Sequence, residues 1–440
     1  MRAARRGSTR PPPASGRSWR SASGAWLGIG TAPGALVLGA QVGGRHGGAL
    51  PVLVLVVGGT VMAALLVAQG RLGLRAPAGE NAGMAELAPR YLPPVAERAF
   101  TALLAIAMVG WFGFNLGLGG AAAAALGGVP DAVGVAALTV PLVAVLIGGG
   151  GRWNAVAVVT TLTAIALIGI VAVKLAPPAS PVALAQDGPP GLLAADLAGY
   201  IGYVSVFAVR APDFTVGLRG RGDLAACVAL LAVPALAASV VGAGVAAASG
   251  STDVVAVLAG PDGLPAANLF VAASVIAPTF AAVHSGALAV RRFLPARVRN
   301  GSSPGAPRTE PAVDSVSAPA GSAGLLGAVA ARVDGRQVVG VLAIAVPGAV
   351  LAALRVDRML LDWLTVLAAA LPALVPPMAA EAARRRRGRA ARPVATWIWA
   401  PGAAVAVALT VAGYAAAAPA GLLVSAAGTL AHAWRRRERA

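Results

Sequence analysis

Residues 96–122 read AERAFTALLAIAMVGWFGFNLGLGGAA. From Ala99 to Ala122 the stretch carries no charge, and beyond the hydroxyl of Thr101 its polar groups are the indole of Trp111 and the amide of Asn115. A helix crosses a hydrocarbon core about 30 Å thick with roughly 20 such residues. A barrel strand needs about half as many. The stretch therefore reads as a transmembrane helix, since in lipid the backbone must satisfy its own hydrogen bonds.

The same reading extends in both directions. Apolar runs of spanning length fall near 26–43, 48–70, 96–122, 132–150, 154–176, 196–214, 224–249, 265–290, 336–354, 360–380, 397–416 and 418–434. The composition agrees: of 440 residues, 58% are hydrophobic and 12% charged, with a mean hydropathy of +0.77. A water-soluble domain would carry roughly twice that charge. The expected fold is all-α and polytopic, with about twelve transmembrane helices.

The formal net charge of +18 does not indicate nucleic acid, because the basic residues sit in short stretches between apolar runs. They follow topology instead. With both termini cytoplasmic, 30 of the 35 basic residues fall in or beside the inside segments, as the positive-inside rule requires. Arg45, Lys174, Arg355 and Arg358 fall outside or near the outer boundary, and Arg210 lies within a span. Almost every basic residue is arginine, Lys174 being the sole lysine, which together with the Ala/Gly/Pro/Val usage suits a GC-rich bacterial genome. The expected location is the cytoplasmic membrane of a bacterium.

Residues 1–22 read as a disordered basic cytoplasmic tail with no cleavage site, 23–434 as the transmembrane domain, and 435–440 as a C-terminal cytoplasmic tail. The segment 291–335 is rich in Pro, Ser and Gly and reads as a disordered cytoplasmic linker between the eighth and ninth spans. RRRRGRAAR at 384–392 is an orientation signal. Cys227, the single cysteine, lies in an apolar run and reads as a small buried hydrophobe.

No catalytic constellation is present: GxSxG, HExxH, a Walker loop and a cysteine cluster are all missing, so neither an enzyme nor a nucleotide-driven pump is expected. Polar groups within the spans remain. Transporters often bind solute where corresponding helices of two repeats are interrupted near the membrane midplane. Span 1, WLGIGTAPGALVLGAQVGG, carries Thr31, Pro33 and Gly34 at its centre. Span 6, AADLAGYIGYVSVFAVRAPDF, carries Gly199, Gly202 and Pro212, with Tyr203 and Ser205 between them. Both are expected to break. In span 3, Trp111 and Asn115 are one turn apart on one face. They suit either a flat polar heterocycle or plain helix packing with an amide cross-link. Arg210 and Asp213 are expected to form a local ion pair.

Three motifs in order add a resemblance. GWFG in span 3, PDFTVGLRGRGD at 212–223 and LLDWLTVLAAALPALVPPMAAE before the arginine run resemble the purine–cytosine permease family, the nucleobase–cation symporters. The likeness runs over roughly 22–434. It implies a five-plus-five inverted repeat with two extra C-terminal helices, and import of a nucleobase or related cytosine-like heterocycle driven by Na⁺ or H⁺, without another cofactor. The expected partners are this small solute and the lipid bilayer, with no nucleic acid and no obligate protein partner. Trp111 corresponds to the family's stacking tryptophan, and Asn115 to a glutamine. Substrate contacts are then expected from Trp111, Asn115, Pro33, Gly34, Gly202, Tyr203, Ser205 and His284, and ion coupling from Thr31, Thr279 and Ser285. The sequence departs from the family in span 8, where SVIAPTFAAVHSG lacks the expected asparagines, and at Glu381, which replaces an aspartate. His284, inside that span, is a candidate proton carrier. The alternatives are an amino-acid or other organic-solute permease of the same fold, or a permease-derived sensor that does not transport.

Overall fold

The computed structural model describes residues 16–148, 153–174, 181–184, 189–261, 263–294 and 335–438. Span 1 is two helices, α1 (Trp19–Gly30) and α2 (Pro33–Arg45). There follow α3 (Val52–Gly73), a short α4 (Met84–Tyr91), α5 (Pro94–Gly127), α6 (Asp131–Ile147), α7 (Trp153–Lys174), α8 (Pro190–Thr215) and α9 (Arg221–Ser249). A short α10 (Val254–Ala259) precedes α11 (Ala267–Ser274) and α12 (Ile276–Arg291), which together form span 8. The chain then continues through α13 (Gly335–Ala353), α14 (Leu360–Ala370), α15 (Val375–Arg386), α16 (Thr396–Val411) and α17 (Ala417–Glu438).

Among the described residues, nine segments are long and apolar enough to cross a membrane, counting α1–α2, α11–α12 and α14–α15 as one each. The shorter apolar α6 and α16, and finally α17, occupy the other three expected positions. Exposed apolar residues such as Val56, Ile106, Val140, Leu162 and Val233 face outward along these helices, where lipid is the fitting solvent.

The packing divides eight of the first nine spans into two bundles, and span 5 touches both. Spans 1, 2, 6 and 7 pack together, α2 along α9 and α3 along α8. Spans 3, 4, 8 and 9 pack together through α5, α6, α12 and α13. Exchanging span 1 for 6 and 2 for 7 turns the α2–α9 contact into the α8–α3 contact, which is the inverted-repeat relation. Small residues permit the close approach of α2 and α9. A Cβ on Gly39 would lie 1.9 Å from the Ser239 carbonyl, and one on Gly242 would lie 1.9 Å from that of Leu36. Membrane helices, which gain little from apolar burial against each other, rely on such contacts. The final helices α16 and α17 pack on each other and against spans 6 and 10.

Ion pairs provide an independent test of the topology. Arg45 and His46 pair with Asp196; Arg355 pairs with Asp131, Asp253 and Asp357; Arg358 pairs with Asp253. The alternation of spans puts all of these on one side of the membrane. Arg292 with Glu97, and Arg385 with Glu80 and Glu381, join residues that the same alternation puts on the opposite side. A miscounted span would have placed such partners on opposite faces. Three of the four basic residues that break the positive-inside pattern, Arg45, Arg355 and Arg358, are each paired with these aspartates. Burial opposes the Arg355 charge, but Asp357 and Asp131 outweigh it and hold its pKa above the usual arginine value.

Two expectations are corrected. Residues 16–22, read as tail, are ordered. Helix α1 starts at Trp19, whose N–H donates to Asp223 at 3.1 Å, and Arg17 bridges to Leu218. Residues 1–15, most of the linker 291–335 and the last two residues lie outside the described ones. The C-terminal tail, begun at 435, is helical as far as Glu438.

Span 6, expected to break, is one continuous helix through Gly199 and Gly202. Those glycines serve contact: a Cβ on Gly202 would lie 2.0 Å from the Leu364 carbonyl of α14. Pro212 sits near the helix end, where losing one hydrogen bond matters least. The break appears instead in span 8, between α11 and α12 at Val275. Pro278 cannot donate to the Ser274 carbonyl four residues back, so the chain bends there.

Candidate functional site

Span 1 is interrupted as expected. Helix α1 ends at Gly30, Thr31 still donates its N–H to the Leu27 carbonyl at 2.9 Å, Ala32 turns to Ile29 at 3.2 Å, and Pro33 takes the first position of α2, where it has no N–H to satisfy. The break faces a cavity enclosing about 90 Å³, room for several waters or one small flat molecule. Ile29, Ala32 and Gly34 from span 1 form one wall. Trp111 and Asn115 contribute from α5, Tyr203, Val206, Phe207, Arg210 and Phe214 from α8, and Pro278, Ala281 and Ala282 from α12. Both bundles and both repeats therefore border one space.

Edge contacts set the Trp111 ring, with Phe114 at 5.6 Å and Tyr203 at 5.8 Å between ring centres. Asn115 donates one amide hydrogen to the Trp111 carbonyl at 2.7 Å, which leaves its other N–H and its oxygen for a ligand. The Tyr203 hydroxyl donates to the Ile29 carbonyl at 3.3 Å, which also accepts the Ala32 N–H at 3.2 Å at the end of α1. Gly34 brings its backbone against Phe114 and Tyr203, where a Cβ would lie 3.1 Å from the Phe114 ring.

The other expected contacts lie off the cavity wall. Pro33 is buried beside the break, and Gly202 packs on α14. Ser205 is buried and turns back to the Gly202 carbonyl at 2.8 Å. His284 is exposed and stands one turn of α12 beyond the lining Ala281. Thr31 and Thr279 are buried and donate to the carbonyls of Leu27 and Val275 at 2.9 and 2.5 Å, which keeps their lone pairs free. Ser285 is buried. Glu381 sits at the inner end of span 10, held by Arg384 at 2.7 Å and Arg385 at 3.0 Å.

Residues that sequence reading passed over, together with Arg210, which it read as half of an ion pair, complete the site. Val206, Phe207, Arg210 and Phe214 follow Tyr203 at helical spacing and share its face. Phe207 stacks on Phe214 at 4.6 Å and receives the edge of Trp26 at 5.2 Å.

The end of this space next to Gln41 is shut. Gln41 of α2 reaches the carbonyls of Asp357 and Arg358 at 3.5 and 3.4 Å and accepts from the Leu361 N–H at 3.3 Å. Beneath it Leu38 and Leu361 meet Gly199. The lining runs the other way, toward Arg210 and Phe214.

No protein-family profile and no curated protein sequence matches the chain. Solved structures do. Mhp1 in an inward-facing conformation superposes with a TM-score of 0.63 at 15% identity, covering 96% of this chain and 93% of Mhp1. Mhp1, described as a nucleobase-cation-symport-1 family transporter, also matches in a closed conformation with bromovinylhydantoin bound, at a TM-score of 0.61, 17% identity and the same coverages. A mutant manganese transporter of Eremococcus coleocola matches at a TM-score of 0.50 and 12% identity, over 95% of this chain and 88% of that one. The chain is a multi-pass membrane protein with the fold of secondary transporters, and that fold is shared with a nucleobase–cation symporter.

Proposed function

We propose that this chain is a secondary active transporter that imports a nucleobase-like heterocycle across the cytoplasmic membrane of a bacterium, by symport with Na⁺ or H⁺. Both termini lie in the cytoplasm. The supporting observation is the meeting of Trp111, Asn115 and the open backbone of span 1 around one small cavity between two bundles. An indole face offers stacking to a flat ring, and the amide and freed backbone groups offer hydrogen bonds to ring nitrogens and oxygens. Closure at Gln41 on one side, with the lining running toward Arg210 on the other, fits one state of an alternating-access cycle. Arginine distribution assigns the closed side to the exterior.

The coupling cation would sit near the end of α1 and Thr279, where carbonyls and hydroxyl lone pairs are the donors available. Oxygen-only ligation of this kind suits a hard cation. The stretch 274–286 of span 8 supplies no asparagine to add to it, and Asn268 in α11 donates to the Val255 carbonyl at 3.4 Å, so the carbonyls carry more of the load.

Uptake of labelled cytosine by cells lacking their own base permeases tests the reading. Unlabelled uracil, adenine, hypoxanthine, hydantoin and amino acids serve as competitors. Saturable uptake blocked by a heterocycle is expected, lost in Trp111→Ala while the protein still reaches the membrane. Competition by amino acids alone would select an amino-acid permease instead.

A further inference from the structure

Arg210 is a charged residue on the wall of an otherwise apolar cavity. Apart from it, the polar groups there are the Asn115 amide, the Tyr203 hydroxyl and the backbone of the span 1 break. Its side chain is 13% exposed. A guanidinium at this depth needs a reason, because an intramembrane charge is costly unless it is compensated.

Its compensation within the protein is thin. Nε donates to Asp213 at 3.3 Å, and among the described residues neither terminal nitrogen has a protein partner. Asp213 is itself divided, since its other oxygen accepts the Met84 N–H at 2.6 Å. Arg355 shows the contrast: it is paired with three aspartates at the outer face. The guanidinium of Arg210 lies 5.4 Å from the centre of the Phe214 ring, which is fixed by Phe207, so the fork is held against the cavity wall. The other residues that line the cavity include no acid.

We propose that this cavity takes a solute bearing an acidic oxygen pair, a carboxylate or an equivalent deprotonated group, and that Arg210 selects it. The inference rests on the transporter reading above and narrows its substrate class. A planar fork of donors matches a carboxylate in geometry and charge. A flat ring would lie against Trp111 and bond Asn115, with its acidic edge toward Arg210. A neutral ring would leave the guanidinium unpaired, and a site built around a buried polar group rejects a ligand that lacks the complement.

The test compares one ring with and without the acid: labelled uracil and labelled uracil-6-carboxylate, in proteoliposomes of the full chain, with labelled leucine as a third arm. The carboxylate should be preferred by about tenfold or more, the scale of one charge-assisted hydrogen bond. Arg210→Gln should abolish that preference, and Arg210→Lys should restore part of it. Equal or better uptake of uracil by the unmodified protein would overturn the inference while leaving heterocycle transport standing. Carboxylate uptake unchanged in a well-reconstituted Arg210→Gln protein would also overturn it. Leucine uptake without either ring, sensitive to Arg210→Gln, would keep the anion site and remove the heterocycle. Uptake of none of the three would remove both.

Discussion

Replacing Gln41 with Ala and Asp253 with Asn should loosen the outer face without unfolding the protein. These two residues tie the bundle of spans 1 and 7 to the junction of spans 9 and 10. Gln41 makes three hydrogen bonds there, all between 3.3 and 3.5 Å, so each is worth about 0.5 kcal/mol, the low end of the usual range. Asp253 meets Arg358 at 3.2 Å and Arg355 at 3.8 Å, and because Arg358 is 60% exposed this adds about 0.5 kcal/mol after screening. Asn at 253 keeps the cap on α10, where the aspartate now accepts the Ala256 N–H. The sum of about 2 kcal/mol shifts the closed-to-open ratio about thirtyfold. Leu361→Cys in a Cys227→Ala background reports on it, because Leu361 is 8% exposed beneath the Gln41 contact. A membrane-impermeant thiol reagent added from outside should label this position slowly in the single-cysteine parent and far faster in the loosened variant. Equal rates in both would refute the idea that these contacts hold the outer side shut.

Other outcomes follow from the same geometry. Gly202→Val should prevent stable folding, because any Cβ there meets the Leu364 carbonyl, and yield after detergent extraction will show it. Ser205→Ala should leave uptake within about twofold of the parent, since that hydroxyl is spent on its own helix, a contact worth little. Asp196→Ala should cost about 3 kcal/mol of stability, read by thermal unfolding in detergent, because it strips the buried partner of His46, 2.7 Å away, and of Arg45. Thr279→Val should weaken the dependence of uptake on the coupling cation more than it weakens solute affinity.

The membrane architecture was legible in the sequence because bilayer thickness imposes a length on every span, and arginine placement imposes a parity on their number. The break at Thr31–Ala32 was legible too, because proline and glycine stand together in mid-span. Span 6 misled, since its glycines answer to the close passage of α14, a neighbour that sequence position does not reveal. The break in span 8 had a local sign in Pro278, but one proline bends a helix in one context and merely ends it in another. Trp111 and Asn115 could be placed on one face by spacing, and the structure puts both on the cavity wall. Arg210 was visible as a charge inside a span. Its position on the cavity wall, with neither terminal nitrogen paired among the described residues, depended on where α5 and α12 pack, and only the tertiary arrangement supplies that.

The most direct test of the account is solute flux by the purified chain itself. In proteoliposomes with an imposed Na⁺ or proton gradient, at least one labelled heterocycle from a panel of cytosine, uracil, uracil-6-carboxylate and hydantoin should accumulate saturably above protein-free liposomes. That accumulation should collapse with the gradient and be lost in Trp111→Ala. No accumulation of any of them by correctly inserted protein, or full accumulation by the Trp111→Ala variant, would contradict the claim that this cavity carries a heterocycle across the membrane.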